Sequence, residues 1–316
     1  MRAIVLEGFG GVDRLRPAVV PDPEPGPGQL LVRVRATSAN PFDVQQRRGD
    51  YREELALPAV IGSDVAGVVE EVGPGCTDYA PGDRVVALAP AFSGCGSYAE
   101  LVAIDEGIAA RTPEGISHEQ AACLPVAGGT AWTCLVARGR VRPGETALIH
   151  AAAGGVGSFA VQIARAAGAR VLATCSARGA ETAAALGAET IVDYQREDVV
   201  ARVLEETDGR GVDLVLDTVG EATIEESPRL LAPFGRVVTI VDIPTPQGLL
   251  AYWERNASLE FVFTPPGRHM LDELGALVER GVVVPLIEDV LPLARVGEAH
   301  ARLEAGGVRG KLVLVP

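Results

Sequence analysis

The segment whose residue types and spacing most directly indicate chemistry is a glycine-containing turn, Leu148 to Gly157, followed by a helix-like run. Gly154 would let the backbone approach a pyrophosphate, Gly157 would let a helix pack closely on a strand, and the helix N-terminus would supply amide donors. Ala152 stands where the usual pattern has its first glycine. A strand before the turn, a helix after it and a second strand at the expected interval still favour a dinucleotide cradle over a merely tight turn. The predicted cradle residues are Gly154, Gly155, Val156 and Gly157.

The type of dinucleotide is decided near the end of the next strand, about twenty residues after the cradle. A carboxylate there would bind the ribose hydroxyls of NAD, but the segment Thr174-Cys175-Ser176-Ala177-Arg178 has none. A hydroxyl at Ser176 and a guanidinium at Arg178 suit a 2′-phosphate, and Tyr194 could add a phenol donor. The sequence therefore predicts NADPH. The alternative is that Ser176 caps a helix beginning near Gly179 and that Arg178 is only solvated.

The elements that position these residues fall into two predicted domains, as a length of 316 residues favours. Short alternating runs between turn-rich segments predict a partly closed β barrel in roughly the first hundred residues. From about Ala121, apolar strand-like runs alternate with helix-like stretches, which is typical of a parallel sheet. The six predicted strands are Thr146 to His150, Arg170 to Thr174, Thr190 to Asp193, Val212 to Asp217, Arg236 to Val241 and Leu259 to Phe263. The last fifty residues end in a strand-like run, Lys311 to Val315, which we expect to return to the first domain.

Composition narrows the function classes. A net charge of -14, from 28 Lys plus Arg against 42 Asp plus Glu, repels nucleic-acid phosphates and anionic membranes, so no partner of either kind is expected. The five cysteines are scattered without a CxxC pair, which argues against a disulfide framework or a zinc knuckle. The chain starts without an apolar secretory core, and no stretch approaches the ~20 uninterrupted apolar residues of a membrane helix. We therefore expect a cytoplasmic protein.

Several short segments together resemble a known family. The matching segments are Asn40-Pro41-Phe42-Asp43, Arg48-Gly49-Asp50-Tyr51, residues 61–69, Gly82-Asp83-Arg84-Val85, Leu124-Pro125, Gly129-Thr130-Ala131-Trp132, the cradle, Leu186-Gly187-Ala188, Asp217-Thr218-Val219-Gly220 and Arg309-Gly310-Lys311. Over essentially its whole length the sequence resembles the medium-chain dehydrogenase/reductase superfamily, and within it the zinc-independent quinone oxidoreductase (zeta-crystallin-like) branch.

The resemblance implies an α/β fold with two domains. Residues 1–122 plus 264–316 would form a GroES-like β-barrel catalytic domain, and residues 123–263 a Rossmann NADPH-binding domain with a doubly wound, six-stranded parallel sheet. It also implies a nicotinamide-holding cleft between the domains and a homodimer. Thr130, Val241 and Lys311 would contact the cofactor, although a lone Lys near a C-terminus is more often a solvated charge.

The resemblance also bears on metal. Zinc-dependent relatives place a Cys where this chain has Asn40 and a His-Glu pair where it has Ser63-Asp64. A catalytic zinc needs about three protein ligands, and none of the four histidines belongs to a ligand-spaced cluster. We therefore expect no metal, and alcohol oxidation, which generally needs a Lewis acid or an equivalent base, is disfavoured.

Three residues are candidates for the chemistry itself. Tyr51 resembles the tyrosine of related enoyl-thioester reductases and would donate a proton to the acceptor, or it packs in the cleft wall. Asn40 and Asp43 match family positions near the nicotinamide and substrate. They also suit a helix N-terminus, with Asn40 as cap, Pro41 in the first turn and Asp43 as the first-turn acid, and both roles can coexist.

The expected function is NADPH-dependent, zinc-independent reduction of a quinone or an α,β-unsaturated carbonyl compound. Such acceptors are already electrophilic, so the protein mainly holds the acceptor carbon over the nicotinamide and supplies a proton. The alternatives are an enoyl-thioester reductase of the same superfamily and a non-catalytic NADPH-binding structural or regulatory protein.

Overall fold

The computed structural model describes residues 1–316 and divides into two units with different secondary structure. The first unit comprises residues 1–129, 265–281 and 285–316, and the second comprises residues 130–264 and 282–284. The first boundary therefore lies after Gly129 instead of at the expected 122/123. The reason is that residues 124–128 pack on strands of the first unit, where the Val126 N–H donates to the Asp64 carboxylate at 2.8 Å.

The chain forms sixteen strands and ten α-helices. The strands are β1 Arg2–Leu6, β2 Leu15–Val19, β3 Gln29–Ala39, β4 Ala59–Val60, β5 Asp64–Val72, β6 Arg84–Leu88, β7 Leu101–Asp105, β8 Ala110–Arg111, β9 Thr146–Ile149, β10 Arg170–Cys175, β11 Thr190–Asp193, β12 Val212–Asp217, β13 Leu231–Thr239, β14 Ser258–Phe261, β15 Ile287–Pro292 and β16 Lys311–Val315. The helices are α1 Pro41–Arg48, α2 His118–Ala121, α3 Gly129–Trp132, α4 Gly155–Ala166, α5 Ala180–Leu186, α6 Val199–Glu206, α7 Ala222–Leu230, α8 Pro246–Glu254, α9 Arg268–Glu279 and α10 Val296–Ala305.

The first unit is built on the long strand β3. It lies in a seven-stranded sheet of order β15-β16-β3-β5-β6-β8, in which β7 also pairs with β3, and a three-stranded sheet of order β2-β1-β4 lies beside it. The strands bury Val, Leu, Ile and Ala side chains in two apolar clusters, as short alternating β segments require. The predicted GroES-like β domain is confirmed.

The C-terminal strand β16 returns to this unit, as the sequence predicts. It pairs in parallel with β15 and antiparallel with β3, with Leu312 opposite Ala39. This register places Lys311 beside the end of β3, where α1 begins. The pairing decides the surroundings of three of the predicted site residues.

The second unit is a six-stranded parallel sheet of order β11-β10-β9-β12-β13-β14. The middle residues of its central strands β9 and β12 are apolar and fully buried, as expected where helices cover both faces of a sheet. The predicted bounds of the third and fourth strands agree with β11 and β12, whereas β13 begins earlier, at Leu231. The predicted doubly wound Rossmann sheet is confirmed.

One helical segment, residues 118–138, is long and apolar enough to cross a membrane by length and composition. It combines α2 and α3 with two wider turns of π-helix, Leu124–Gly128 and Thr133–Arg138. Of its most apolar stretch, 67% is buried within the protein, as in the core helix of a folded domain.

Candidate functional site

The glycine turn joins β9 to α4, as the sequence predicts. A Cβ atom on Gly157 would lie 2.3 Å from the Ala151 carbonyl oxygen, so only glycine lets the helix start this close to the turn. Gly154 is the residue before the helix, and a Cβ there would meet nothing closer than 3.2 Å. The N–H groups of the first helical turn have no partner within the helix, which makes this end suitable for a phosphate. The turn geometry thus fits a pyrophosphate cradle of residues 154–157.

The predicted 2′-phosphate residues lie at one edge of the second unit's sheet. Ser176 and Arg178 follow β10, Tyr194 follows β11, and these strands are parallel neighbours with Cys175 opposite Asp193. Arg178 and Tyr194 are exposed, and Ser176 is half-buried. Ser176 precedes a short 3₁₀ turn, but its hydroxyl makes no capping hydrogen bond. The geometry therefore leaves the hydroxyl available to a ligand.

Two other cofactor candidates also belong to the second unit. Val241 follows β13 at the same carboxyl edge of the sheet and is 49% exposed. Thr130 is buried in α3, and its hydroxyl lies 2.8 Å from the hydroxyl of Thr264. The sequence gives no indication of this contact, because Thr264 is an isolated threonine after β14, the last strand of the second unit's sheet.

The remaining candidates, Asn40, Asp43, Tyr51 and Lys311, belong to the first unit. Asn40 precedes α1 and is buried. Its amide nitrogen donates to the Ser38 carbonyl at 3.3 Å, to Asp43 at 3.1 Å and to Asp64 at 2.8 Å. Its amide oxygen accepts a hydrogen bond from the Lys311 ammonium. Protein partners thus occupy the whole side chain, and this geometry does not support the expected direct contact with substrate.

Asp43 is also fully buried, so the geometry gives it the helix-start role that the sequence offered as the alternative. Its carboxylate accepts from the Asn40 backbone N–H at 2.9 Å, the Ser63 hydroxyl at 2.6 Å and the Tyr98 hydroxyl at 3.1 Å. Burial raises the pKa of Asp43 to about 6, and the neighbouring Asp64 adds to this, while the hydrogen bonds from Ser63 and Asn40 oppose it.

Tyr98 continues this buried network to His300. The Tyr98 hydroxyl lies 3.0 Å from Nε2 of His300, and both residues are fully buried. Burial lowers the pKa of His300 to about 3, so its imidazole is neutral. Because the Tyr98 hydroxyl donates its single proton to Asp43, Nε2 of His300 must donate to Tyr98.

Lys311 is not the solvated charge that its position near the C-terminus suggested. It is 4% exposed, and its ammonium donates to the Ala39 carbonyl at 3.2 Å and to the Asn40 amide oxygen, with the Asp64 carboxylate 3.7 Å away. These partners hold it inside the first unit. The predicted contact of Lys311 with the cofactor finds no support in this geometry.

Tyr51 follows α1 and differs from these three residues. It is half-buried, and its ring contacts Phe42 and Phe92 at centroid distances of 5.4 and 5.2 Å. Its hydroxyl has no hydrogen-bond partner in the protein. Burial raises the pKa of Tyr51, and the nearby Asp50 and Glu54 add to this, so the phenol keeps its proton at neutral pH. Of the three catalytic candidates, Tyr51 alone has a polar atom available to a ligand.

Comparison with known proteins decides the family. The alcohol dehydrogenase GroES-like domain matches residues 26–114, and the zinc-binding dehydrogenase family matches residues 186–314. A quinone oxidoreductase of Pseudomonas aeruginosa is 37% identical over 100% of this chain and 99% of its own length. The chain belongs to the medium-chain dehydrogenase/reductase superfamily, in its quinone oxidoreductase-like branch.

Solved structures of this superfamily agree with the fold. A structure described as an NAD-dependent alcohol dehydrogenase has a TM-score of 0.93 at 35% identity, and each chain is covered completely. A mycobacterial protein complexed with NADPH has a TM-score of 0.90 at 34% identity, again over both whole chains. This medium-chain dehydrogenase/reductase is therefore an NAD(P)-dependent oxidoreductase.

Sequence reasoning missed several residues of this superfamily member's site. Gly179 packs against the cradle, since a Cβ there would lie 2.8 Å from the Cβ of Ala153. His150 lies in the floor below the cradle, buried, with Nδ1 3.0 Å from the Thr174 hydroxyl. Burial lowers the pKa of His150 to about 4, although the nearby Asp217 carboxylate opposes this shift. The His150 imidazole is therefore neutral at pH 7. The Nδ1 contact fits a structural role, whereas Nε2 of His150 is buried without a hydrogen-bond partner.

Proposed function

We propose that the chain transfers hydride from NADPH to a quinone or an α,β-unsaturated carbonyl compound. The observation that carries the cofactor assignment is the end of β10, where Ser176 and Arg178 follow the strand without a carboxylate. A guanidinium binds phosphate oxygens by charge-assisted hydrogen bonds, whereas the ribose hydroxyls of NAD favour a carboxylate at this place. Tyr194, on the neighbouring strand end, can add a donor.

Calorimetric titration of NADPH and NADH against wild type and Arg178→Ala tests this assignment. Loss of one charge-assisted contact to phosphate should weaken NADPH by roughly 10- to 100-fold and NADH by less than about twofold. Arg229→Ala, which changes an arginine of α7, is the matched control. Equal weakening of both cofactors would remove Arg178 from the 2′-phosphate site.

Bound NADPH supplies the hydride, and the chain must supply a proton and hold the acceptor. We assign the proton to Tyr51, whose hydroxyl has no protein partner and whose pKa is raised. A protonated phenol can donate to the acceptor oxygen as negative charge builds there. Tyr51→Phe keeps the ring and removes only the proton. It should lower kcat by about 10²-fold at unchanged NADPH affinity, and an unchanged kcat would leave Tyr51 with a packing role alone.

We propose that this chemistry needs no zinc. Asn40 and Ser63 stand where zinc-dependent relatives have ligands, and the Lys311 ammonium already lies among Asn40, Asp64 and the Ala39 carbonyl. A divalent cation at this place would face a buried positive charge at short range. No group of three or more His, Cys, Asp or Glu side chains is arranged to hold a metal. Mass spectrometry of the purified, active protein should find less than one zinc ion per chain. The rate of acceptor reduction should be unchanged when a metal chelator is added. Stoichiometric zinc required for turnover would overturn this proposal.

The acceptor class is tested by following NADPH absorbance during incubation with quinones, enones or enoyl thioesters. Oxidation of saturated alcohols is followed in a parallel assay with the oxidised cofactor. Reduction of quinones or enones is expected. Turnover of enoyl thioesters alone would indicate the thioester reductase instead. Tight NADPH binding without turnover of any acceptor would indicate a non-catalytic protein.

We also propose a homodimer formed through the second unit. The edge strand β14 has one unpaired side, and large apolar side chains near it and on α8 are exposed. They are Ile243, Leu250, Trp253, Phe261 and Phe263, each more than half exposed. An unpaired strand edge and large apolar side chains that are more than half exposed normally become covered. Analytical ultracentrifugation should give a dimer for wild type and a monomer for Trp253→Glu. Cytoplasmic localisation stays a prediction.

A further inference from the structure

Helix α4, which begins at the cradle, contains a buried glutamine, Gln162, that is 7% exposed. Its side-chain nitrogen donates to the Val284 carbonyl at 3.1 Å and to the Ser158 carbonyl at 2.9 Å. Its side-chain oxygen accepts from the Val284 N–H at 2.8 Å. A glutamine amide has two donor hydrogens and one oxygen, so both donors and the oxygen are engaged. Neither a glutamate nor an apolar side chain could make all three contacts.

The main partner of Gln162 is a segment of only three residues, 282–284, which belongs to the second unit. Residues 265–281 before it and residues 285–316 after it belong to the first unit. The segment lies in no strand or helix, so no neighbouring strand pairs with the backbone of Val284. Gln162 supplies a donor and an acceptor in place of such a strand. The hydrogen bonds that hold the Val284 backbone therefore come from a side chain of α4.

The same glutamine is connected to the cradle through Ser158, which is 1% exposed. The Ser158 hydroxyl donates to the Gly155 carbonyl at 2.9 Å, and the Ser158 N–H donates to the Gly154 carbonyl at 2.9 Å. A chain of hydrogen bonds thus runs from Val284 through Gln162 and Ser158 to Gly155. Because Gly154 and Gly155 are cradle residues, this chain ends at the turn whose free N–H groups would face a phosphate.

We propose that Gln162 is a positioning residue, which couples the docking of residues 282–284 on α4 to the binding of the cofactor pyrophosphate at the cradle. The proposal rests on the proposed cofactor site and adds a means of regulating it. The segment has two states, docked on α4 and released, and a phosphate at residues 154–157 restricts the first turn of α4. The hydrogen-bond chain passes this restriction to the segment. By linkage, release of the segment weakens cofactor binding by the same factor.

Amide hydrogen exchange at single-residue resolution tests the coupling first without cofactor. Gln162→Met keeps an unbranched side chain and removes all three hydrogen bonds. It should speed exchange of the Val284 amide and of the amides of residues 154–158 by roughly 2- to 10-fold. Ile163→Val is the matched control, because Ile163 is the next buried residue of α4 and has no part in the chain. This variant should leave the same amides within about twofold. Faster exchange confined to Val284 overturns the proposal.

The second measurement repeats the exchange with saturating NADPH. NADPH should slow exchange of the Val284 amide in wild type by roughly 5-fold or more. Ser158→Ala keeps both contacts between Gln162 and Val284 but cuts the chain before Gly155, so the slowing should fall below about twofold. Equal slowing in wild type and Ser158→Ala, or no slowing in wild type when calorimetry shows NADPH binding, overturns the coupling. Failure of calorimetry to detect NADPH or NADH binding would overturn the proposed function, and the exchange without cofactor would still decide whether Gln162 couples Val284 to the cradle.

Discussion

Replacing Lys311 by Met should destabilise the chain strongly, because it removes one member of a buried ion pair. The Lys311 ammonium and the Asp64 carboxylate are 3.7 Å apart and almost completely buried. At an effective dielectric constant of ~20, this separation corresponds to an attraction of about 4 kcal/mol. Asp64 keeps hydrogen bonds from Ser38, Asn40 and the Val126 N–H, which limit the loss. We expect the free energy of unfolding to fall by about 3 kcal/mol, within the range for breaking a buried pair.

Urea unfolding followed by circular dichroism measures this loss. Arg295→Met is the control, since Arg295 and Glu298 form an exposed pair expected to contribute less than about 1 kcal/mol. The double variant Lys311→Met/Asp64→Asn should lose less than the sum of the single losses, because the second change removes the unpaired charge. If Lys311→Met costs no more than the control, or if the two losses simply add, the buried pair does not stabilise the unit as argued.

Three further predictions follow from other contacts. In the absence of cofactor, Gly157→Ala should lower the free energy of unfolding by about 1–3 kcal/mol, because its Cβ would clash with the backbone of the turn. Gly154→Ala should change this free energy by less than about 1 kcal/mol and mainly weaken NADPH binding. Equal unfolding curves for the two variants would contradict the close contact at Gly157. Thr264→Val should weaken NADPH by roughly 2- to 10-fold in calorimetry, because the Thr264 hydroxyl orients that of Thr130, and Thr264→Ser should restore it. Burial raises the pKa of Asp43 to about 6, so the folded chain holds this proton more tightly than the unfolded chain. Stability contributed by Asp43 is then present below about pH 4 and lost as pH rises through 6, by up to about 3 kcal/mol. Asp43→Asn should remove that fall from urea unfolding measured between pH 4 and 7, and parallel pH profiles would contradict the raised pKa.

The parallel sheet could be predicted because each buried strand is a local apolar run. Strand β13, the fifth predicted strand of this sheet, shows where local sequence patterns fail to predict the start of a strand. Leu231 pairs with Val212, but pairing resumes only at Arg236 with Leu214, so the intervening residues bulge out of register. Pro233 and Gly235 in this stretch are typical of a turn, and the sequence therefore placed the start of the strand too late.

The cradle could also be predicted, because the close approach that excludes a side chain at Gly157 depends on residues within one turn and helix. The Asn40 network could not. Its members come from β3, α1, β5 and β16, and the distance between Asn40 and Lys311 along the chain exceeds 270 residues. No local pattern marks such a group, and a single buried lysine has the same sequence appearance as a solvated one.

The pairing of β16 with β3 changes what the family positions can do. It brings an ammonium to Asn40, and the Asn40 amide in turn ties Asp43 and Asp64 into one buried set of hydrogen bonds. Side chains saturated in this way cannot bind a substrate without leaving buried polar partners unpaired, which costs about 1–3 kcal/mol for each group. The hydrogen bonds of these side chains fix the start of α1. Since Phe42 lies in that helix and Tyr51 directly follows it, the network holds in place the residues that do have exposed ring surface and an unused hydroxyl.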